Sequence, residues 1–146
     1  GYDGYFHTAE AIATGGDLTA YGLRAYWKPE TTGSIPDVQV GYDFASYDEA
    51  ADTDAEDTAG WMIGLGWKDV FVDGNRAGFA YGSAQAATSY KGTGSDPEED
   101  NTRWEAYYTF KVNDGVSVTP AIFGGSDIGA ADKDVNGAVL LTEFKF

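Results

Sequence analysis

Cysteine is absent from the 146-residue chain, and histidine occurs once, at His7. The first absence excludes a disulfide framework, thiolate metal sites and a cysteine nucleophile. The second leaves imidazole-based metal centres and histidine-dependent triads poorly supplied. Basic residues are few, nine against 24 acidic ones, for a formal charge of −15. Nucleic-acid phosphates would be repelled by such a chain, so no nucleic-acid partner is expected. No run of about 18 apolar residues exists, which excludes a membrane-spanning helix but leaves spanning by strands open. No charged-then-apolar signal segment opens the chain. Its start at Gly1 without Met reads as a mature protein or a piece of a longer one.

What the chain does have is glycine, 20 residues, and aromatics, 15% of positions, including ten Tyr and four Trp. That is the composition of a β-rich protein. Apolar and polar positions alternate in segment after segment, the pattern of a half-buried strand. "LTAYGLRAYWK" sets Tyr21, Leu23, Ala25 and Trp27 against Gly22, Arg24, Tyr26 and Lys28. "DVQVGYDFA" sets Val38, Val40, Tyr42 and Phe44 against Gln39, Gly41 and Asp43. "AGWMIGLGWK" sets Trp61, Ile63, Leu65 and Trp67 against Gly60, Met62, Gly64, Gly66 and Lys68. "NRAGFAYGS", "RWEAYYTFKV", "GVSVTPAIFG" and the terminal "GAVLLTEFKF" continue the series, and a weaker segment around Tyr5 to Ala13 would make eight. No helical period of useful length interrupts them.

The connections alternate as well, except at "ATGGD", a short loop where a long one is expected. "GSDIGAADKDVN", "AQAATSYKGTGSDPEEDN" and "SYDEAADTDAEDT" are long, whereas "VNDGV" and "KDVFVDGN" are short and "PETTGSIPD" is intermediate. Long external loops and short periplasmic turns are the habit of outer-membrane barrels. On that parity Trp27, Trp67, Phe110, Phe144 and Phe146 fall on the periplasmic side, and Tyr42, Phe44, Trp61, Tyr81 and Trp104 on the outer side. The pairs Tyr21 and Trp27, Trp61 and Trp67, and Trp104 and Phe110 are each six residues apart. That is roughly 15 Å of height at a tilt of about 40°, shorter than the ~25 Å apolar band but suited to rings that sit at its borders and reach along the normal. The expected fold is all-β: a transmembrane antiparallel up-and-down β-barrel with about eight strands in this chain, residues 1–146 forming one barrel segment and no second domain. A soluble lipocalin-like barrel with the apolar faces turned inward is the competing fold. It would leave Gly60, Gly64, Gly66, Gly78 and Gly82 on a solvent face for no clear reason.

Two stretches carry a family resemblance. "GWMIGLGWKDVFVDGNRAGFAYGSAQ", Gly60 to Gln85, and "WEAYYTFKVNDGVSVTPAIF", Trp104 to Phe123, resemble consecutive strands and turns of cyanobacterial outer-membrane porins, grouped with carbohydrate-selective (OprB-like) and iron-uptake porins. The resemblance covers about the last 90 residues well. It implies a barrel of about sixteen strands, of which this chain would be the carboxy-terminal half. It also implies a water-filled channel in the cell outer membrane for passive diffusion of small hydrophilic solutes and ions. Outer-membrane lipid, lipopolysaccharide and two further copies in a homotrimer are the implied partners. The alternative is a small eight-stranded structural or adhesive barrel without a continuous pore.

A channel of this kind needs no catalytic residue, cofactor or metal, and none is assigned. Its working groups would be charges on the inner wall. The polar flanks supply Arg24, Lys28, Asp43, Arg76, Arg103, Glu105, Lys111, Glu143 and Lys145, with Glu10 a further candidate. Lys28, Arg76, Lys111 and Lys145 gather towards the periplasmic end, as a collar favouring anions or merely as counter-charges to nearby carboxylates such as Glu105. The interface aromatics are Trp27, Trp61, Trp67, Trp104, Phe110, Phe144 and Phe146. The acidic loops contain "DTDAED", which starts like a calcium loop but lacks its later Gly and Glu. Ser83 and Ser89 have no candidate base nearby, and Gly64 to Gly66 opens no helix that could cradle phosphate.

Overall fold

The computed structural model describes residues 18–31, 33–47, 55–92, 101–128 and 133–146. They form seven strands: β1 (Leu18–Trp27), β2 (Asp37–Tyr47), β3 (Ala55–Lys68), β4 (Arg76–Tyr90), β5 (Thr102–Asn113), β6 (Val116–Ile128) and β7 (Lys133–Phe144). The weak segment around Tyr5 to Ala13 lies outside the described residues.

Each strand pairs antiparallel with its chain neighbour, in the order β1-β2-β3-β4-β5-β6-β7, so β1 and β7 are open edges. This is an up-and-down meander with every connection local. Strands of 10 to 15 residues exceed the five or six usual in globular sheets.

Over the strand centres the register keeps the two flanks in step, with bulges interrupting it in β3–β4 on the loop side of Trp61, in β5–β6 beyond Lys111 and in β6–β7 beyond Gly125. Tyr42 lies opposite Leu23 and Trp61, Tyr81 opposite Ile63 and Trp104, and Ile122 opposite Ala106 and Ala138. Between those bulges one face of the sheet is apolar, because a period of two is matched across seven strands only where no strand slips by one residue. The other face carries most of the glycines and charges, and along β7 it also carries apolar residues. There Val135, Val139 and Leu141 share the polar face, so this strand is apolar on both sides.

No second layer covers either face among the described residues. Their buried apolar side chains are Ala45, Tyr47, Ala84 and Ala87, and no large side chain is fully enclosed. Leu23 is 69% exposed, Ile122 53% and Leu140 70%. Soluble monomers rarely leave contiguous apolar surface of this kind exposed.

Glycine has a specific use on the polar face. A Cβ at Gly78 would run into the Tyr107 ring, and one at Gly137 into the Phe123 ring. Each glycine is a seat on which a neighbouring strand's aromatic lies flat. Gly66 is different, with nothing within 4 Å of where its Cβ would stand. Gly66 therefore leaves open room on this face, whereas Gly78 and Gly137 do not.

The connections differ from the sequence expectation. At one end, called here the turn end, they comprise residues 28–36, 69–75 and 114–115; at the other, the loop end, residues 48–54, 91–101 and 129–132. The long loop expected between the last two strands shrinks to 129–132, because β6 continues to Ile128 and β7 starts at Lys133. Likewise β4 runs to Tyr90 and β3 starts at Ala55. Small polar residues there look like loop in isolation but are held as strand by their partners. Asp57 lies opposite Ser89 and accepts its hydroxyl at 2.9 Å. The contrast in connection length between the two ends is correspondingly weaker than expected.

The 69–75 turn is tied down from both flanks. Asp69 N–H donates to Asn75 O at 2.8 Å, and Asn75 N–H to Val72 O at 3.1 Å. Gly74 N–H donates to Asp69 Oδ1 at 2.8 Å. Asp69 and Phe71 sit at φ 56° and 64°, a left-handed backbone costing an L-residue about 1–2 kcal/mol. Asn75, 6% exposed, reaches across to β5. Its Oδ1 accepts Lys111 N–H at 2.9 Å and its Nδ2 donates to Tyr108 Oη at 3.0 Å.

Candidate functional site

The polar face is the concave one. A groove of about 990 Å³ runs along it, lined by residues of all seven strands, among them Arg24, Tyr26, Gln39, Met62, Arg103, Glu105 and Val135. Arg24 and Arg103 stand in one hydrogen-bonded row, through Gly41, Met62 and Gly82. Glu105 is in the next row, opposite Ala80 and Phe123.

The expected wall charges separate into paired and unpaired groups. Arg24 Nη2 donates to both carboxylate oxygens of Asp43, at 2.8 and 2.7 Å, and its Nη1 to Leu23 O and Tyr42 O. That guanidinium is pinned flat against the wall with its charge matched. Lys111 is matched by Asp114 at 2.7 Å, three residues along, rather than by Glu105. Glu143 accepts a hydrogen bond from Ser117 at 3.3 Å. Arg76, Arg103 and Glu105 make no ion pair with any described residue. Lys28 and Lys145 lie just beyond β1 and β7, and Lys145 N–H donates to Gly115 O at 2.8 Å.

Lys28, Arg76, Lys111 and Lys145 do share the turn end, as the collar requires. One cluster there was not singled out from sequence. Lys68 donates to Asp37, which also accepts the Tyr26 hydroxyl at 2.9 Å. Lys68 lies directly opposite Arg76, a like-charge pairing that disfavours the sheet unless relieved, and Asp37 relieves it. The available signal was the alternation placing Lys68 on the flank opposite Trp67. Outside the strands, in the β5–β6 turn, the Lys111 ammonium hydrogen-bonds the Asp114 carboxyl and holds its pKa below the ordinary 3.8.

His7, Glu10, Asp48, Glu49, Asp52, Asp54, Asp96, Glu98, Glu99 and Asp100 lie outside the described residues. Among the described residues no group of three or more His, Asp or Glu could hold a metal ion.

The apolar face carries the expected aromatics, with the exception that Phe146 lies beyond the end of β7. Register adds what sequence spacing lacks. Trp27 is level with Leu65, two residues short of Trp67. Trp67 is level with Tyr108, two short of Phe110, and Phe110 is level with Thr142, two short of Phe144. The second series behaves identically: Tyr21 is level with Ala59, two short of Trp61, and Trp61 with Thr102, two short of Trp104. Both bands thus descend by two residues for every two strands crossed. With a rise of about 3.3 Å per residue and about 4.8 Å between strands, a level band implies strands tilted by about 35°. Ring contacts reinforce the bands: Trp61 meets Tyr81 edge-on at 5.4 Å between ring centres, and Tyr108 meets Phe110 in a tilted contact at 4.6 Å. No protein-family model, curated protein or solved structure matches the chain.

Proposed function

We propose that this sheet is part of the wall of a transmembrane β-barrel in a cell outer membrane, and that the barrel is a porin passing small hydrophilic solutes and ions. The supporting observation is the pair of parallel aromatic bands on the apolar face. A tilt of about 35° is what outer-membrane barrels adopt, with aromatic girdles bordering their apolar band. The bands lie six residues apart, about 16 Å along the membrane normal at that tilt. Lipid covers the apolar face in this reading, and water fills the concave groove.

The unpaired Arg103 and Glu105 then face the solute path, while Arg24 and Asp43 cancel. Single-channel recordings in a salt gradient test this. Arg103→Gln moves the reversal potential towards cation preference, and a chain that inserts but never conducts overturns the porin.

One observation favours a second reading. Tyr107 and Phe123 lie over glycines on the concave face, beside Val135, Val139 and Leu141. Small barrels fill their interiors with side chains in this way, as a structural or adhesive eight-stranded barrel without a pore would do. Mass spectrometry of the intact polypeptide separates the two, since a mature chain near 15.6 kDa fits the small barrel.

A further inference from the structure

The turn between β3 and β4 displays an aromatic residue at a conformational cost. Phe71 holds a left-handed backbone at φ 64°, where a bulky L-residue is an outlier. Yet its side chain is 92% exposed, and that of Val72 58%. Nothing in the packing of the sheet requires Phe at this position, and Gly would adopt the same backbone without strain. Such strain points to a role in binding rather than in folding.

The ring is aimed, not loose. It stacks on Tyr108 at 6.3 Å with planes 29° apart. The Tyr108 hydroxyl in turn donates to Val70 O at 2.9 Å, beside Phe71. Tyr108 belongs to the apolar face. The lower aromatic band is supplied by β1, β3, β5 and β7, and β4 offers only Ala77 at that level. Phe71 borders this gap through its contact with Tyr108, the β5 residue opposite Ala77.

We infer that Phe71 and Val72 anchor the β3–β4 turn in the membrane, at the boundary of acyl chains and headgroups on the turn side. The inference rests on the transmembrane reading above. Its occupant is phospholipid, because the exposed ring continues the face assigned to lipid and aromatic side chains favour that boundary.

The absence of native cysteine permits a clean test by nitroxide labelling in phospholipid vesicles. Labels are placed at Val72→Cys, at Leu65→Cys within the apolar band, and at Asp73→Cys on the exposed acid beyond the ring. Collision with oxygen over collision with a water-soluble nickel chelate reports depth. The expected order is Leu65 deepest, Val72 at the boundary and Asp73 in water. Adding Phe71→Gly, which removes the ring and relaxes the backbone, is expected to move the Val72 label several-fold towards the aqueous value and leave Leu65 unchanged. A water-exposed Val72 label beside a lipid-exposed Leu65 overturns the anchor and leaves the barrel standing; so does a Val72 label indifferent to Phe71→Gly. A Leu65 label shielded from oxygen or open to the chelate overturns the transmembrane reading, and the anchor with it.

Discussion

Ile63 and Asn136 share one hydrogen-bonded row of the apolar face, running through Tyr81, Trp104 and Gly124. If that row lay parallel to the membrane, arginine at either position would meet the same surroundings. The tilt separates them. Four strands at about 4.8 Å, inclined by about 35°, lift Asn136 about 11 Å above Ile63 along the normal. Ile63 is one row below Trp61, about 5 Å, so Asn136 lies about 5 Å beyond the upper band. Arginine facing lipid near the midplane costs about 2–4 kcal/mol, falling to about 0–1 near the interfaces. Ile63→Arg is therefore expected to cost about 2–4 kcal/mol and Asn136→Arg at most about 1 kcal/mol. Reversible denaturant unfolding in phospholipid vesicles, followed by tryptophan fluorescence, measures both. Equal losses, or a larger loss at Asn136, would refute the tilted band. They would favour a protein whose apolar face is a dry interior, because both side chains would then be buried together.

Other substitutions address the sheet and its turns. Ala at Gly82 would press its Cβ against the Trp61 carbonyl and the Met62 Cα, backbone atoms that cannot swing away. A loss of about 1–3 kcal/mol is expected in the same unfolding assay, whereas Gly66→Ala is neutral or stabilises by up to about 1 kcal/mol. Asn75→Ala removes the acceptor of Lys111 N–H and the partner of the Tyr108 hydroxyl. The expected cost is about 1–3 kcal/mol, the range for stranding a buried polar group, read as a shift of the denaturation midpoint. Asp114 has a folded pKa below its ordinary value. Its contribution is present above the ordinary pKa of 3.8 and is lost as pH falls through the lower folded value. Asp114→Asn is expected to flatten stability against pH in that acid window alone, and an unchanged slope would contradict the pair with Lys111.

The two faces were legible in the sequence because side-chain direction has a period of two, so Trp61, Ile63, Leu65 and Trp67 declare one flank without help from partners. Strand ends were not. Ala86, Ala87 and Ser89 have weak strand preference alone, and their pairing with β3 makes them strand. Pairings across strands were equally hidden: Arg24 and Asp43 lie 19 residues apart in the chain, and only the β1–β2 pairing brings them together. Rings over Gly78 and Gly137 depend on register, which spacing within one strand does not reveal. Phe71 escaped for another reason. Composition marks turns by Gly, Asn and Asp, and the left-handed Phe sits among them unannounced.

Seven strands in strict up-and-down order leave β1 and β7 pointing the same way. Joining them to each other, or to the matching borders of identically oriented copies, would create a parallel seam. Any all-antiparallel cylinder containing this sheet must therefore enlist an odd complement of extra staves, one to make eight or nine to make sixteen. The hoop closes by parity of direction before chemistry has any say.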